Sequence, residues 1–291
     1  MSTHSKNPLT LMAVFAHPDD ETFGIGGTMV RYGADPDVRV VLVCATRGEA
    51  GEISDPALAT PERLGQVRED ELRCACHTLG VDSLHFLGYR DSGMAGTPEN
   101  RDPRALAMAD PKEAVGRIVA IIRCERPQVV VTHDETGGYG HPDHIAVHQL
   151  TTAAVAAAGD AAAYPEQVAA GLAPHRPQKL YYTAIPRRFF RAVIAKMDEL
   201  GLEVPERLKQ RLDSPFGLPD EACTTDIGVA DFWDTKRMAF QCHATQIKPD
   251  SFFAVLPAEL MRELQAWECF QLAESTIGGD DGGHDLFSGL R

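Results

Sequence analysis

The sequence predicts an α/β fold, a mainly parallel sheet with helices on both faces, and three observations predict it. Short apolar runs at residues 11–15, 38–45 and 129–132 have the length of buried strands. Between them apolar residues recur at helical spacing: Leu72, Ala75, Cys76 and Leu79, then Val115, Ile118, Val119 and Ile122, each fall at i, i+3, i+4 and i+7. Strand and helix patterns alternate up to about residue 158, as βαβ units do, and such units build parallel sheets covered on both sides.

In order along the chain, residues 11–15 form a first strand that stops at His17, because Pro18 cannot donate to a ladder. Gly24-Ile25-Gly26-Gly27 opens a helix to about Tyr32, where Gly33 stops it, and residues 38–45 are a second buried strand. Residues 84–87 read as a short strand. Residues 88–110, rich in Gly, Pro, Asp and Arg, read as a long loop of the kind that is functional or mobile. Past the strand at 129–132, Pro142 begins a helix in which Ala146, Leu150, Ala153 and Ala154 keep helical spacing, and proline suits a first turn.

Residues 155–177 are alanine-rich and broken by Gly159, Pro165, Gly171, Pro174 and Pro177, which marks a boundary. Residues 1–177 are therefore expected to form a Rossmann-like catalytic domain. Residues 178–277 are expected to form a smaller C-terminal α+β part that completes the pocket. It has a strand at 180–184, a helix presenting Phe190, Val193, Ile194 and Met197, and another helix through 231–240. Residues 278–291, acidic and glycine-rich, are expected to be a flexible tail.

Composition narrows the partners. A net charge of −14 weighs against nucleic acid and anionic membrane, since phosphate binding needs clustered Lys and Arg, and favours a small neutral or cationic substrate. Seven scattered cysteines without a Cys-x-x-Cys pair suit reduced thiols in a cytosol. The polar residues 1–7 lack the apolar core of a signal peptide, and no run approaches the ~18 apolar residues of a membrane helix, so a cytoplasmic location is expected. A homo-oligomer stays open.

Two strand exits carry similar polar chemistry. Ala16-His17-Pro18-Asp19-Asp20-Glu21 follows the first strand directly, and Gly137-Gly138-Tyr139-Gly140-His141-Pro142-Asp143-His144 follows the strand at 129–132. In open α/β sheets ligands gather at the carboxyl ends of strands, so these side chains read as the floor of a site. A catalytic zinc takes three protein ligands from histidine and carboxylate, and His17, Asp20 and His144 would supply them. Two plainer readings compete. Asp19 or Asp20 could cap the helix that follows, and the glycines at 24, 26 and 27 could cradle a dinucleotide. The second fails because position 29 is Met and a histidine and three carboxylates stand where pyrophosphate would lie.

The pair His17-Pro18-Asp19-Asp20-Glu21 and His141-Pro142-Asp143-His144 resembles the family of metal-dependent N-acetylglucosaminyl deacetylases related to the phosphatidylinositol-glycan deacetylase. Within it the chain looks most like the bacterial mycothiol branch, through residues 47–52, 90–97 and 119–123. The resemblance is strong over the first half and thins beyond about residue 180, where His243-Ala244-Thr245-Gln246 and Ser251-Phe252-Phe253-Ala254 look more like the branch's conjugate amidase.

The resemblance implies a zinc-dependent hydrolase that removes an acetyl group from a 2-acetamido sugar, with Fe2+ or another divalent ion as an alternative metal. It implies His17, Asp20 and His144 as ligands, and Asp19 as the base that takes the proton of the attacking water. By the same likeness His141 and Tyr139 face the oxyanion or leaving amine, and Asp143 orients a neighbouring histidine or caps the helix. Arg68, Asp91 and Glu52 match sugar-binding positions, although Arg68 also sits in the charged run 68–71 of an ordinary solvated helix face. His148, one turn beyond His144, fits packing better than ligation, and His243 has no firm role. The expected substrate is a sugar conjugate of the N-acetylglucosaminyl-inositol type. A mycothiol S-conjugate, an N-acetylglucosaminyl-malate or a glycosylated antibiotic are the alternatives, and a non-catalytic metal-binding module is the alternative of another class.

Overall fold

The computed structural model describes residues 8–213, 217–248, 256–277 and 283–291. Strands β1 (Leu9–Phe15), β2 (Val38–Cys44), β3 (Ser83–Phe86), β4 (Val129–Thr132) and β5 (Lys179–Ala184) are parallel, in the order β3-β2-β1-β4-β5. Two antiparallel strands, β7 (Trp267–Ser275) and β6 (Thr225–Gly228), continue the same sheet beyond β5. The α/β reading stands, and the C-terminal part adds strands to the first sheet and does not build one of its own.

β1 shows why the central strands are apolar at every position. Leu11, Ala13 and Phe15 enter one core, while Met12 and Val14 enter the other, so neither face meets water. The first face is covered by α1 (Asp20–Gly33), α2 (Leu64–Leu79) and α9 (Trp233–Cys242). The second is covered by α3 (Pro111–Glu125) and α5 (Pro142–Ala158). Helix ends follow local chemistry. Asp110 caps α3 by accepting the Glu113 N–H at 2.9 Å, and Gly80 ends α2 at φ 77°. One turn, α4 (Gly137–Gly140), precedes α5, and a short α6 (Pro165–Ala169) precedes β5. Helices α7 (Arg187–Glu199), α8 (Glu206–Asp213) and α10 (Ala258–Leu264) form a separate small core with Trp233.

The chain leaves β1 through α1 towards β2 and leaves β4 through α5 towards β5, so the connections depart in opposite directions from two neighbouring strands. That is the topological switch point, and it opens a crevice at the carboxyl ends of β1 and β4.

Two expectations are corrected. The thiols are not all free, for Cys74 on α2 and Cys242 at the end of α9 are joined by a disulfide with Cα atoms 5.8 Å apart. They are 168 residues apart in sequence and meet only because α2 packs on α9, which no spacing rule detects. The last residues are not a loose tail either. Residues 278–282 lie outside the described residues, as does the 251–254 segment, but 283–291 is docked. Leu286 and Phe287 are fully buried, the Phe287 ring meets Tyr32 edge-on at 5.3 Å, and the Tyr32 hydroxyl donates to Asp285 at 2.7 Å. Two apolar side chains in a polar segment are enough to anchor it, and average composition conceals them. Among the described residues no helix is long and apolar enough to cross a membrane. Replacing Phe287 by Ala is expected to cost about 3–5 kcal/mol in chemical denaturation, the usual loss for a buried phenylalanine, whereas a flexible tail would give no change.

Candidate metal centre

The site grows from the ends of β1 and β4. His17 lies two residues past β1 and is buried, and its backbone N–H donates to Asp20 Oδ2 at 2.8 Å, closing the turn that starts α1. Between them Asp19 has φ 113° and ψ −29°, a conformation rare for any residue but glycine. On the other side, Asp134 Oδ1 accepts from the N–H groups of Thr136 at 2.7 Å and Gly138 at 3.1 Å, shaping the glycine turn that leads into α5 and His144. Gly137 has φ 65°, and a Cβ there would stand 2.9 Å from the Cβ of His144.

His17 Nδ1, His144 Nε2 and the Asp20 carboxylate converge. His17 Nδ1 lies 3.1 Å from His144 Nε2 and 3.6 Å from Asp20 Oδ2, and His144 Nε2 lies 3.3 Å from Asp20 Oδ1. Tetrahedral donors at ~2.0–2.2 Å from one small divalent ion stand about 3.3–3.5 Å apart, so the spacing fits such an ion. The outer ring nitrogens are engaged elsewhere. His17 Nε2 faces Asp143 Oδ2 at 3.1 Å, and His144 Nδ1 faces the Gly137 carbonyl at 3.2 Å. With protons held there, the inner nitrogens of both rings are left as donors beside the Asp20 carboxylate, an arrangement that could hold a cation.

Burial works against a charged His17, yet Asp143, Asp20 and Asp91 outweigh it and hold the imidazole well above the usual histidine range, so a proton competes with a metal ion for this ring. Burial pushes His144 well below that range, with His133 adding to it against Asp20, which leaves a neutral donor. Burial also opposes charge on Asp20, but His144 and His133 keep its carboxyl well below the usual carboxylate range. Asp19 differs. Burial pushes it up to about 7 against the opposing pull of Arg68.

The other expected residues fall around a cleft of about 280 Å³ lined by His17, Asp19, Arg68, Asp91, Tyr139 and His141, with Glu52 at its mouth. His141 is buried, its Nδ1 takes the Asp143 N–H at 3.2 Å, and its ring meets His17 edge-on at 4.6 Å. Tyr139 is 43% exposed, and its ring meets His144 edge-on at 5.0 Å. Arg68 is not a solvated surface residue. It is 3% exposed and donates to the carbonyls of Gly48 at 2.8 Å and Pro18 at 2.6 Å and to Asp19 Oδ2 at 3.2 Å. Asp91 accepts from the Ala50 and Gly93 N–H groups, tying two loops together beside His17. Glu52 is exposed and pairs with Lys248. His148 faces the His133 carbonyl at 3.0 Å and packs on Tyr182, away from the donor set.

Sequence reasoning passed over His133. Its ring stacks on His144 at 4.0 Å, and its Nε2 lies 3.4 Å from Asp20 Oδ2 and 3.3 Å from the Ala16 N–H. The signal was there, because His133 directly follows β4 at the strand end already singled out.

A doubly wound sheet with this donor set at its switch point, beside a carboxylate of raised pKa, defines an α/β protein with a candidate metal centre, and its relatives make it a hydrolase. The chain belongs to the GlcNAc-PI de-N-acetylase family, whose signature matches residues 12–155. It is 43% identical to a 1D-myo-inositol 2-acetamido-2-deoxy-alpha-D-glucopyranoside deacetylase of Geodermatophilus obscurus, over 96% of this chain and 97% of that one. A protein of the same name from Acidothermus cellulolyticus is 41% identical over 97% of this chain and 95% of its own. Among solved structures, N,N'-diacetylchitobiose deacetylase from Pyrococcus horikoshii shares the fold with a TM-score of 0.64 at 21% identity, covering 97% of this chain and 86% of that one.

Gly137→Ala is expected to push His144 from its place and to weaken metal affinity about 10–100-fold, the usual cost of losing an outer partner of a ligand. Competition of the purified protein against a metal indicator reads it, and unchanged affinity would remove Gly137 from the centre.

Proposed function

We propose that this chain is a zinc-dependent deacetylase of a 2-acetamido sugar joined to inositol, the reaction for which its relatives are named. The observation that carries the proposal is the convergence of His17 Nδ1, the Asp20 carboxylate and His144 Nε2 within 3.1–3.6 Å, with His17 also lining the cleft that holds Asp19. Those three residues would hold the ion, and its nitrogen and oxygen donors also suit Fe2+. When bound, the ion supplies a Lewis acid that polarises the acetyl carbonyl and eases deprotonation of the attacking water.

Asp19 takes that proton on its carboxylate. A base poised at about 7 is matched to neutral pH, and Arg68 fixes its orientation from behind. His141 uses Nδ1 as an acceptor for the Asp143 N–H, so its Nε2 carries a hydrogen and acts as a donor to the oxyanion or the leaving nitrogen. The same bond argues against His141 as a further ligand, although its ring lies with those of His17 and His144. Tyr139 swings on Gly138 and Gly140 to add a second donor. Asp143 holds His17 in the tautomer that leaves Nδ1 free.

The cleft mouth bears on the substrate. Glu52, Ser54, Gln246 and Lys248 line it beside the exposed Met94, and the four polar side chains suit the hydroxyls of a polyol. Arg68 and Asp91 line the cleft and would stand beside the sugar. Within the stretch 243–246 that resembles the conjugate amidase, His243 bonds Glu21 away from the cleft, whereas Thr245 and Gln246 line it, so the conjugate stays a substrate to test.

Two experiments test this. Metal-loaded protein incubated with the inositol glycoside, N-acetylglucosamine and a mycothiol S-conjugate should release free amine fastest from the glycoside, with kcat/KM at least about tenfold above the bare sugar, the worth of a single 1.4 kcal/mol rim contact. Equal rates on glycoside and bare sugar would refute the inositol assignment, a faster conjugate would favour the amidase, and no release from any would end the proposal. Separately, Asp19→Asn should keep its metal while turnover falls by about 10²–10⁴-fold, and His144→Ala should lose metal and activity together. Equal metal content in both variants would mean that base and ligand are assigned the wrong way round.

A further inference from the structure

We infer that Glu21 and His243 are positioning residues for Asp19, a buried carboxylate–imidazole pair that clamps the backbone of residue 19 in the conformation from which its carboxylate reaches the cleft. The inference rests on the assignment of Asp19 as the base.

The first observation is strain. A non-glycine residue at φ 113° persists only where its surroundings over-determine it. For Asp19 they do. Its carbonyl accepts the N–H groups of Thr22 and Phe23, each at 3.0 Å, and its own N–H donates to Glu21 Oε2 at 2.9 Å. Arg68 holds the side chain and the preceding carbonyl. Of these grips the Glu21 carboxylate is the one that reads the peptide N–H of residue 19 directly, so it fixes which way that peptide faces.

Glu21 is only 1% exposed, and a carboxylate in that position needs a partner. His243 supplies it, with Nε2 at 2.7 Å from Glu21 Oε1, and the Thr22 hydroxyl donates to the same oxygen. His243 is fully buried, and among the described residues its Nδ1 has no hydrogen-bond partner, so the ring is committed to Glu21 alone. Neither residue lines the cleft. They act through Asp19 and touch nothing that reacts.

The supports of His243 point the same way. It follows α9 directly, where Cys242 is bonded to Cys74 of α2, and Thr245 donates to Glu71 of α2 from its N–H at 2.8 Å and its hydroxyl at 2.7 Å. The same α2 carries Arg68. One helix pair therefore delivers both grips on Asp19, Arg68 to its carboxylate and His243 through Glu21 to its N–H. A buried pair serving stability alone would have no reason to end on the strained peptide of the proposed base.

The test combines His243→Ala and His243→Gln with the parent and with Asp19→Asn. In the parent, His243→Ala should lower kcat by about 100-fold with KM within about twofold, the pattern of a misplaced catalytic group, while metal content stays that of the parent. His243→Gln, whose amide can still donate to Glu21, should recover most of the rate. In the Asp19→Asn background His243→Ala should cost nothing further, because the clamp acts only through the group already removed. A crystal structure of His243→Ala should show residue 19 out of the left-handed region. Should that variant not fold, Glu21→Ala carries the same readouts, since it removes the acceptor of the Asp19 N–H. The same fractional loss in both backgrounds, or residue 19 unmoved with kcat unchanged, overturns the inference. Failure of the parent to release amine from any N-acetyl sugar would refute the proposed function instead, and the conformation of residue 19 in the variant would still decide the clamp.

Discussion

The parallel pairing of β1 with β4 is the constraint on which the rest depends. Its register sets Val14 beside Thr132, so the segments leaving the two strands emerge side by side, one carrying His17, Asp19 and Asp20, the other His133 and the turn into His144. Were any other strand between them, donors now 3.1 Å apart would be separated by at least a further strand spacing of about 4.8 Å. The connections on either side leave in opposite directions, which keeps helices from covering the crevice.

Gathering so many carboxylates in one buried place is costly, and the protein offsets the cost partner by partner. Asp143 and Asp91 face His17, Asp20 faces His133 and His144, and Asp19 faces Arg68. Burial works against charge on Glu21, yet His243 outweighs it and holds the carboxyl below its usual range. Asp19 alone of the acidic motif is left near the balance point, because burial and its acidic neighbours outweigh Arg68 and His243. Environment shifts two adjacent aspartates of the same intrinsic chemistry in opposite directions. The surplus of acceptors aimed at one spot is what makes the centre attractive to a cation.

Glycine matters here at a few points of close approach. Gly48 and Gly51 leave room for Arg68, since a Cβ at either would stand 2.1 or 2.5 Å from its Nη1. That space lets the guanidinium reach the Pro18 carbonyl and Asp19 Oδ2, so two glycines upstream of Arg68 help to decide where the proposed base points. Gly137 does the same for His144.

The sequence alone determined what is local. Apolar runs announced the central parallel strands, helical periodicity announced α2, α3 and α5, and His17, Asp20 and His144 stood at strand ends with donor chemistry in view. What it left undecided depends on contacts between distant residues that carry no period of their own. His133 matters because β4 lies beside β1. His243 reaches Glu21 across 222 residues, Cys74 meets Cys242 across 168, and Arg68 leaves the solvated face its charged neighbours suggest because two glycines make room for it. The strands β6 and β7 and the docking of Phe287 are of the same kind, short or polar segments whose burial is set by an edge and a slot that exist only once the sheet has formed. Periodicity records which face of an element turns inward, and only strand order and helix packing decide what it meets there.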